Sequence, residues 1–266
     1  MDANAKEILV RRFWQANADS AFDTAAEMML PTATVKWPLS NELIPTPGDW
    51  QAIKEHYPGT WNIDVRHVLV DGDTCITLSH LSDGTHEESP ITLFHFENGA
   101  ISDIVEYWPQ PSNAPEWRAG MVDTAAVQWP TAWESVSKLG SANVNREQAR
   151  QFWEHVGSAR FGLAEAMFVP DAVIDWPVTR ERLTTPREWA RINEVYAGRW
   201  LAEVQSVYGN QPWVLAIVNV TDGASSYLCL SCFTFENGLI RRLVEYWPEP
   251  EAPAEWRRPW VRPLVA

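Results

Sequence analysis

The chain has 266 residues, 45% hydrophobic and 21% charged, proportions of a globular protein with length for two ordinary domains. A formal net charge of −14, with an isoelectric point near 4.8, sets the surface against phosphate backbones and anionic lipid. Neither nucleic acid nor a membrane is therefore expected as a partner. The start, Met1-Asp2-Ala3-Asn4, has no basic stretch leading into an apolar one, and apolar runs such as 213–218 are too short to cross a bilayer, so the cytoplasm is the expected location.

In chain order, Ile8, Leu9 and Phe13, then Phe22, Ala25, Ala26 and Met29, recur at helical spacing, with a turn at 17–20 and Pro31 as a stop. A short extended segment (34–37) closes on Trp37-Pro38. Thr46-Pro47 then starts a helix carrying Trp50, Ile53, Lys54 and Tyr57, with threonine as N-cap and proline at the first helical position. After Gly59 the pattern alternates. Strands are expected at 65–70, 75–81, 91–96 and 101–108, separated by Asp71-Gly72, Asp83-Gly84 and Asn98-Gly99, which are strong hairpin signals.

The whole pattern then returns. Val105-Glu106-Tyr107-Trp108-Pro109 reappears as Val244-Glu245-Tyr246-Trp247-Pro248, an offset of 139 residues, and the same offset maps Phe13-Trp14 onto Phe152-Trp153, Trp50 onto Trp189 and Glu116-Trp117-Arg118 onto Glu255-Trp256-Arg257. So long a period makes each copy a domain rather than a stacking unit. We expect a first domain at 1–120, a connector at 121–144 holding Gln128-Trp129-Pro130 and Trp133, and a second domain at 145–266, opened by a capping box at Asn145-Arg146-Glu147-Gln148. Helices first and a long meander after give α+β: two cone-shaped domains, each with helices packed on a strongly curved antiparallel sheet.

Three cysteines exclude a fully paired disulfide framework. Cys229-Leu230-Ser231-Cys232 lies in a β-like run, where residues three apart point to opposite faces, so buried thiols are expected rather than a redox or metal pair. No His-x-His or His-x-x-x-His spacing occurs, and no metal is expected.

Helix, short strand, helix and a curled meander ending in Tyr-Trp resemble the nuclear transport factor 2-like superfamily, and within it the polyketide-cyclase (SnoaL-like) and ketosteroid-isomerase branch. The resemblance implies a ligand held inside each cone, between the helices and the concave sheet face. It does not carry over the isomerase machinery. The tyrosine of the first helix falls at Phe13 and Phe152, the general-base aspartate at Trp37 and Trp176, and the oxyanion-hole aspartate at Thr92 and Ser231. The aspartate that cyclases carry after the closing tryptophan falls at Pro109 and Pro248.

If Trp108 and Trp247 face inward, as the resemblance implies, alternation turns Glu106 and Glu245 inward with them. A carboxylate on such a wall is partly desolvated and suited to proton transfer. The competing reading pairs Glu106 with Arg118 and Glu245 with Arg257. By the same resemblance His80 falls on an inward strand position, where it would form an acid–base pair with Glu106; a hydrogen-bonded core histidine is the alternative, and Asn219 takes its place in copy two. Sixteen tryptophans suit a cavity for flat apolar or aromatic ligands. The expected lining is Trp37, Tyr57, Trp61, Thr92 and Trp108, with Trp176, Tyr196, Trp200, Asn219, Ser231 and Trp247. The expectation is a cofactor-independent lyase, isomerase or cyclase acting on a hydrophobic or aromatic small molecule, with Glu106, His80 and Glu245 as catalytic candidates. The alternatives are a non-catalytic ligand-binding protein with structural carboxylates and a pair of filled cones. The apolar outward positions Leu93, Val105, Tyr107, Cys232, Val244 and Tyr246 predict an intramolecular pseudo-dimer of the two domains, monomeric as a chain.

Overall fold

The computed structural model describes residues 1–57, 59–123, 142–196, 198–210 and 212–264. Copy one supplies α1 (Ala3–Ala18), α2 (Phe22–Ala26), β1 (Met29–Trp37), β2 (Glu42–Ile44), α3 (Pro47–His56), β3 (Asn62–Asp71), β4 (Thr74–Ser82), β5 (Glu87–Glu88), β6 (Ile91–Glu97) and β7 (Ala100–Tyr107). Copy two supplies α4 (Ala142–Gly157), α5 (Phe161–Glu165), β8 (Phe168–Trp176), β9 (Glu181–Leu183), α6 (Pro186–Val195), β10 (Leu201–Asn210), β11 (Trp213–Thr221), β12 (Ser226–Glu236) and β13 (Leu239–Tyr246), and a short β14 (Arg262–Pro263) ends the chain. Most of the expected connector, including Gln128, Trp129, Pro130 and Trp133, lies outside the described residues.

Local chemistry sets the ends of these elements. Thr46 caps α3 by accepting from the Asp49 amide at 3.1 Å, and Thr185 with Glu188 forms a full capping box on α6. The box expected at 145–148 is not one. Those residues lie inside α4, which already includes Ala142, and Gln148 instead reaches the Gly238 carbonyl. Asn98 and Gly99 both hold positive φ (51° and 86°), the backbone that a two-residue hairpin between right-twisted strands requires.

The sheet orders are β14-β2-β1-β7-β6-β4-β3 in one unit, with β5 beside β4, and β10-β11-β12-β13-β8-β9 in the other. The fold is α+β as expected, but the sheets are mixed rather than purely antiparallel. β1 runs parallel to β7, and β8 to β13, because the chain reaches each closing strand only after a helix and the whole meander. Register shifts at Val65/His67 and Val204/Ser206 place matching bulges in β3 and β10, where added twist helps curl each sheet over its helices. Phe13, Trp14, Trp50 and Phe94 interlock under one sheet, and Phe152, Trp153, Trp189 and Phe233 under the other. The Phe13–Trp50 and Phe152–Trp189 centroids both lie 5.2 Å apart. Cys229 and Cys232 are buried, and only Cys229 belongs to the core beneath the sheet.

The compact units do not follow the repeat boundaries. One comprises Met1–Pro109 with Pro250–Ala266, the other Gln110–Glu249. The segment after β7 therefore packs as part of the copy-two unit: the Ser112 amide donates to the Val178 carbonyl at 2.8 Å, and Asp123 and Arg182 exchange backbone bonds. The segment after β13 packs in the copy-one unit: the Glu251 amide donates to Leu39, the Leu264 amide to Asn41, and β14 pairs with β2. Each such arm places an arginine. Arg257 binds Glu42 and lies 4.8 Å from the Trp37 ring, while Arg118 binds Glu181 and lies 4.7 Å from Trp176. The two arginines that the competing reading assigned to Glu106 and Glu245 are thus engaged by Glu181 and Glu42.

One matched pair is reversed in sign. Lys36 on β1 donates to Asp103 on β7 at 2.9 Å, whereas at the equivalent places Arg242 on β13 donates to the buried Asp175 on β8 at 2.6 Å.

Candidate functional site

Strand pairing fixes which side chains share a face. Thr77 pairs with Thr92, and Thr92 with Glu106, so the three form one row across β4, β6 and β7. Cys75, Phe94 and Ile104 make the next row on the same side and belong to the core beneath the helices. Glu106 therefore points inward, as alternation predicts, and is 1% exposed. The equivalent row in copy two is Ala216, Ser231 and Glu245.

His80 is on the other phase. It shares its face with Ile76 and Leu78, opposite in parity to Thr77 and Leu81, so it faces away from Glu106 and the expected dyad does not form. Its Nδ1 meets Arg66 at 3.1 Å and its Nε2 lies 3.8 Å from Glu87. Burial, with Arg66 beside it, holds the ring below its ordinary pKa. Asn219 shares that outward phase and accepts from the Ser226 hydroxyl at 2.5 Å. Neither residue lines a cone.

The two inward carboxylates have different surroundings. In copy two, Trp176 donates its indole N–H to Glu245 at 2.7 Å, and Trp189 and Trp247 bond the same carboxylate. Loss of hydration nevertheless outweighs these three donors, and the Glu245 pKa is raised to about 7. Three indoles thus point their N–H groups at one buried carboxyl group.

In copy one, Trp37 donates to Glu106 at 2.6 Å. Among the described residues the Trp50 N–H, equivalent to that of Trp189, has no hydrogen-bond partner although the ring is fully buried, and neither does the Thr92 hydroxyl directly opposite Glu106. Where copy two has Asn193, bonded to the Trp189 carbonyl at 2.8 Å, copy one has Lys54. The Lys54 amine lies 5.8 Å from the Trp50 ring and 5.4 Å from Trp108, within cation–π range of both. Desolvation lowers its pKa; Glu106 pulls it up and Arg257 pushes it down further. Of the three described lysines, Lys6 and Lys36 each hold a carboxylate at 2.8–2.9 Å. Among the described residues, no carboxylate makes such a contact with Lys54.

Lys54 also joins this buried cluster to solvent. It lines a cavity of about 450 Å³ together with Ser20, Phe22, Asp23, Gln51, Glu55, Tyr57 and Gly59. Of the expected lining residues, Tyr57 borders that cavity. Trp61 packs against Tyr57 with centroids 5.9 Å apart, and Trp256 of the arm lies equally close on Tyr57. Tyr196, Trp200 and Trp117 form the corresponding cluster in copy two. Trp37, Trp176 and Trp247 are committed to the carboxylates, and Ser231 contacts the Cys229 thiol at 3.2 Å. Lys54 is a site residue that the sequence reading misses. A signal for it exists: it stands four residues after Trp50, on the helix face that turns inward, at a place where the copies differ in charge.

Among the described residues no group of three potential ligands is arranged to hold a metal ion, and no helix is long and apolar enough to cross a membrane.

No family model and no curated protein matches the chain. Solved structures do. The chain is similar to a ketosteroid isomerase candidate from Kribbella flavida (25% identity, 47% of this chain and 93% of that one, TM-score 0.45). It is also similar to a nuclear transport factor 2-like protein of unknown function from Burkholderia xenovorans (25% identity, 52% and 97%, TM-score 0.40). A third is an epoxide hydrolase of M. tuberculosis (16% identity, 40% and 84%, TM-score 0.36). Each spans about half of this chain, the length of one repeat.

Proposed function

We propose that the chain is a cofactor-independent enzyme of proton transfer, a lyase, isomerase or cyclase for a small, largely apolar molecule, and that copy one is the active half. The observation that carries this reading is a buried acid, Glu106, together with an amine, Lys54, that packs on the Trp50 and Trp108 rings and lines an open cavity. Glu106 takes or gives the proton, Lys54 presents its amine to the cavity, and the unpartnered Trp50 and Thr92 groups supply polar contacts for a substrate heteroatom. Copy two keeps the carboxylate but encloses it in three indoles and lacks the amine, so its role is structural.

A planar probe opened by one proton abstraction, 5-nitrobenzisoxazole, tests the reading whatever the natural substrate. The protein is expected to accelerate its ring opening, and Glu106→Gln to reduce the rate by a factor of about 100 or more, the usual contribution of a positioned base. Glu245→Gln is expected to leave it nearly unchanged. Equal rates for the native protein and Glu106→Gln would defeat the proposal and favour a ligand carrier.

A further inference from the structure

We infer that Lys54 is the nucleophile of a carbonyl site, condensing with a neutral aldehyde or ketone held in the cavity bordered by Ser20, Phe22, Gln51 and Tyr57. The inference deepens the reading above and rests on copy one being the active half.

Three independent features point to it. The first is the placement of the amine. Lys6 and Lys36 are tied to carboxylates, whereas among the described residues no carboxylate lies at ion-pair distance from Lys54, whose amine packs against the Trp50 and Trp108 rings. The second is access, since Lys54 forms part of the wall of a cavity of about 450 Å³, roughly the size that takes a small organic molecule. The third is the charge of that wall. Asp23 and Glu55 stand beside Lys54, so a carboxylate or phosphate ligand meets two acids for one amine, while a neutral carbonyl compound meets no such opposition. The depressed basicity of Lys54 agrees with these features, because only the unprotonated amine attacks carbon.

The step balances without any further reactant. The Lys54 nitrogen forms a bond to the carbonyl carbon, and the carbonyl π pair moves to oxygen, which takes a proton. The nitrogen lone pair then closes the C=N bond as the C–O bond breaks and water leaves. The product is the imine plus one water. Its protonated form withdraws electrons from the adjacent carbon, so that a neighbouring C–H becomes acidic enough for a carboxylate base. Glu106, buried and held by the Trp37 indole, is the carboxylate assigned to take that proton. One helix residue would thus capture the substrate and prepare it for the proton transfer proposed above.

The chain contains only four lysines, Lys6, Lys36, Lys54 and Lys138, which makes the test direct. The full-length protein is treated with benzaldehyde and cyanoborohydride over a range of pH, and the reduced adducts are located by peptide mass mapping. At about pH 7, Lys54 is expected to be benzylated at least about tenfold faster than Lys6 or Lys36, one pKa unit being a tenfold change in free amine. Its rate is expected to level off at a pH where theirs is still rising. Lys54→Arg, which keeps the cation, is expected to lose this fast site while remaining folded. Labelling of Lys54 no faster than that of Lys6 and Lys36, or a rate profile parallel to theirs, overturns the imine. Opening of 5-nitrobenzisoxazole uses no imine, so retained ring opening alongside that result would leave the acid–base reading standing.

Discussion

Arg118→Ala is expected to destabilise the protein by about 3–5 kcal/mol, the cost of leaving a buried charge without its partner. Glu181 is fully buried and receives two guanidinium nitrogens of Arg118, with Thr179 as its other partner. The guanidinium also covers the Trp176 ring, so its removal strips packing as well as charge. Arg257→Ala is expected to cost a similar amount through Glu42, and to disturb copy one besides, because Arg257 lies over the tryptophan that donates to Glu106. Urea unfolding of each single variant and of Arg118→Ala with Glu181→Gln measures the effect, and the double variant should recover a large part of the loss. A cost below about 1 kcal/mol for Arg118→Ala would place these pairs with ordinary solvent-screened surface bridges.

The second large effect is on pH dependence and comes from Glu245. Its pKa rises from 4.5 unfolded to about 7 folded. Between those values the unfolded chain has released the proton while the folded protein still holds it. Stability is therefore fully present below about pH 4.5, falls as pH rises through the window to about 7, and levels off above it. A shift of this size corresponds to roughly 3 kcal/mol across the window. Glu245→Gln has no proton to lose. It is expected to remove this descending limb, so that native and variant proteins differ most near pH 8 in the variant's favour and least near pH 5. Urea midpoints at the two pH values decide the matter. Identical pH dependence in both proteins would mean that water reaches the carboxyl group after all.

Much of the architecture is legible in the chain because each signal is local and occurs twice. Thr46-Pro47 and Thr185-Pro186 open helices, Asn98-Gly99 closes a hairpin, and the alternation of Glu106 with Tyr107 turns the acid inward. The parallel pairing of β1 with β7 is not legible, since strand neighbours distant in sequence leave no local mark. His80 falls on the opposite face from the one expected because a strand's phase, once off by one residue, inverts every side chain along it. The exchanged arms are illegible for a different reason. Arg118 and Arg257 are equivalent by repeat, as are Glu42 and Glu181, so spacing alone cannot say which arginine reaches which acid. Lys54 is the most informative omission. Attention to what the two copies share draws the eye to Glu106 and Glu245, whereas the amine that lines the cavity stands where they differ, at Lys54 against Asn193.

The sign reversal between Lys36–Asp103 and Asp175–Arg242 bears on how one chain can fold two such similar halves correctly. If β1 were to mate with β13 in place of β7, Lys36 would meet Arg242; if β8 mated with β7, Asp175 would meet Asp103. Either error sets like charges together at a site that is dry in copy two, where such an encounter costs several kcal/mol. The polypeptide thus carries a charge pattern that disfavours pairing of each of these strands with the other copy's counterpart of its partner.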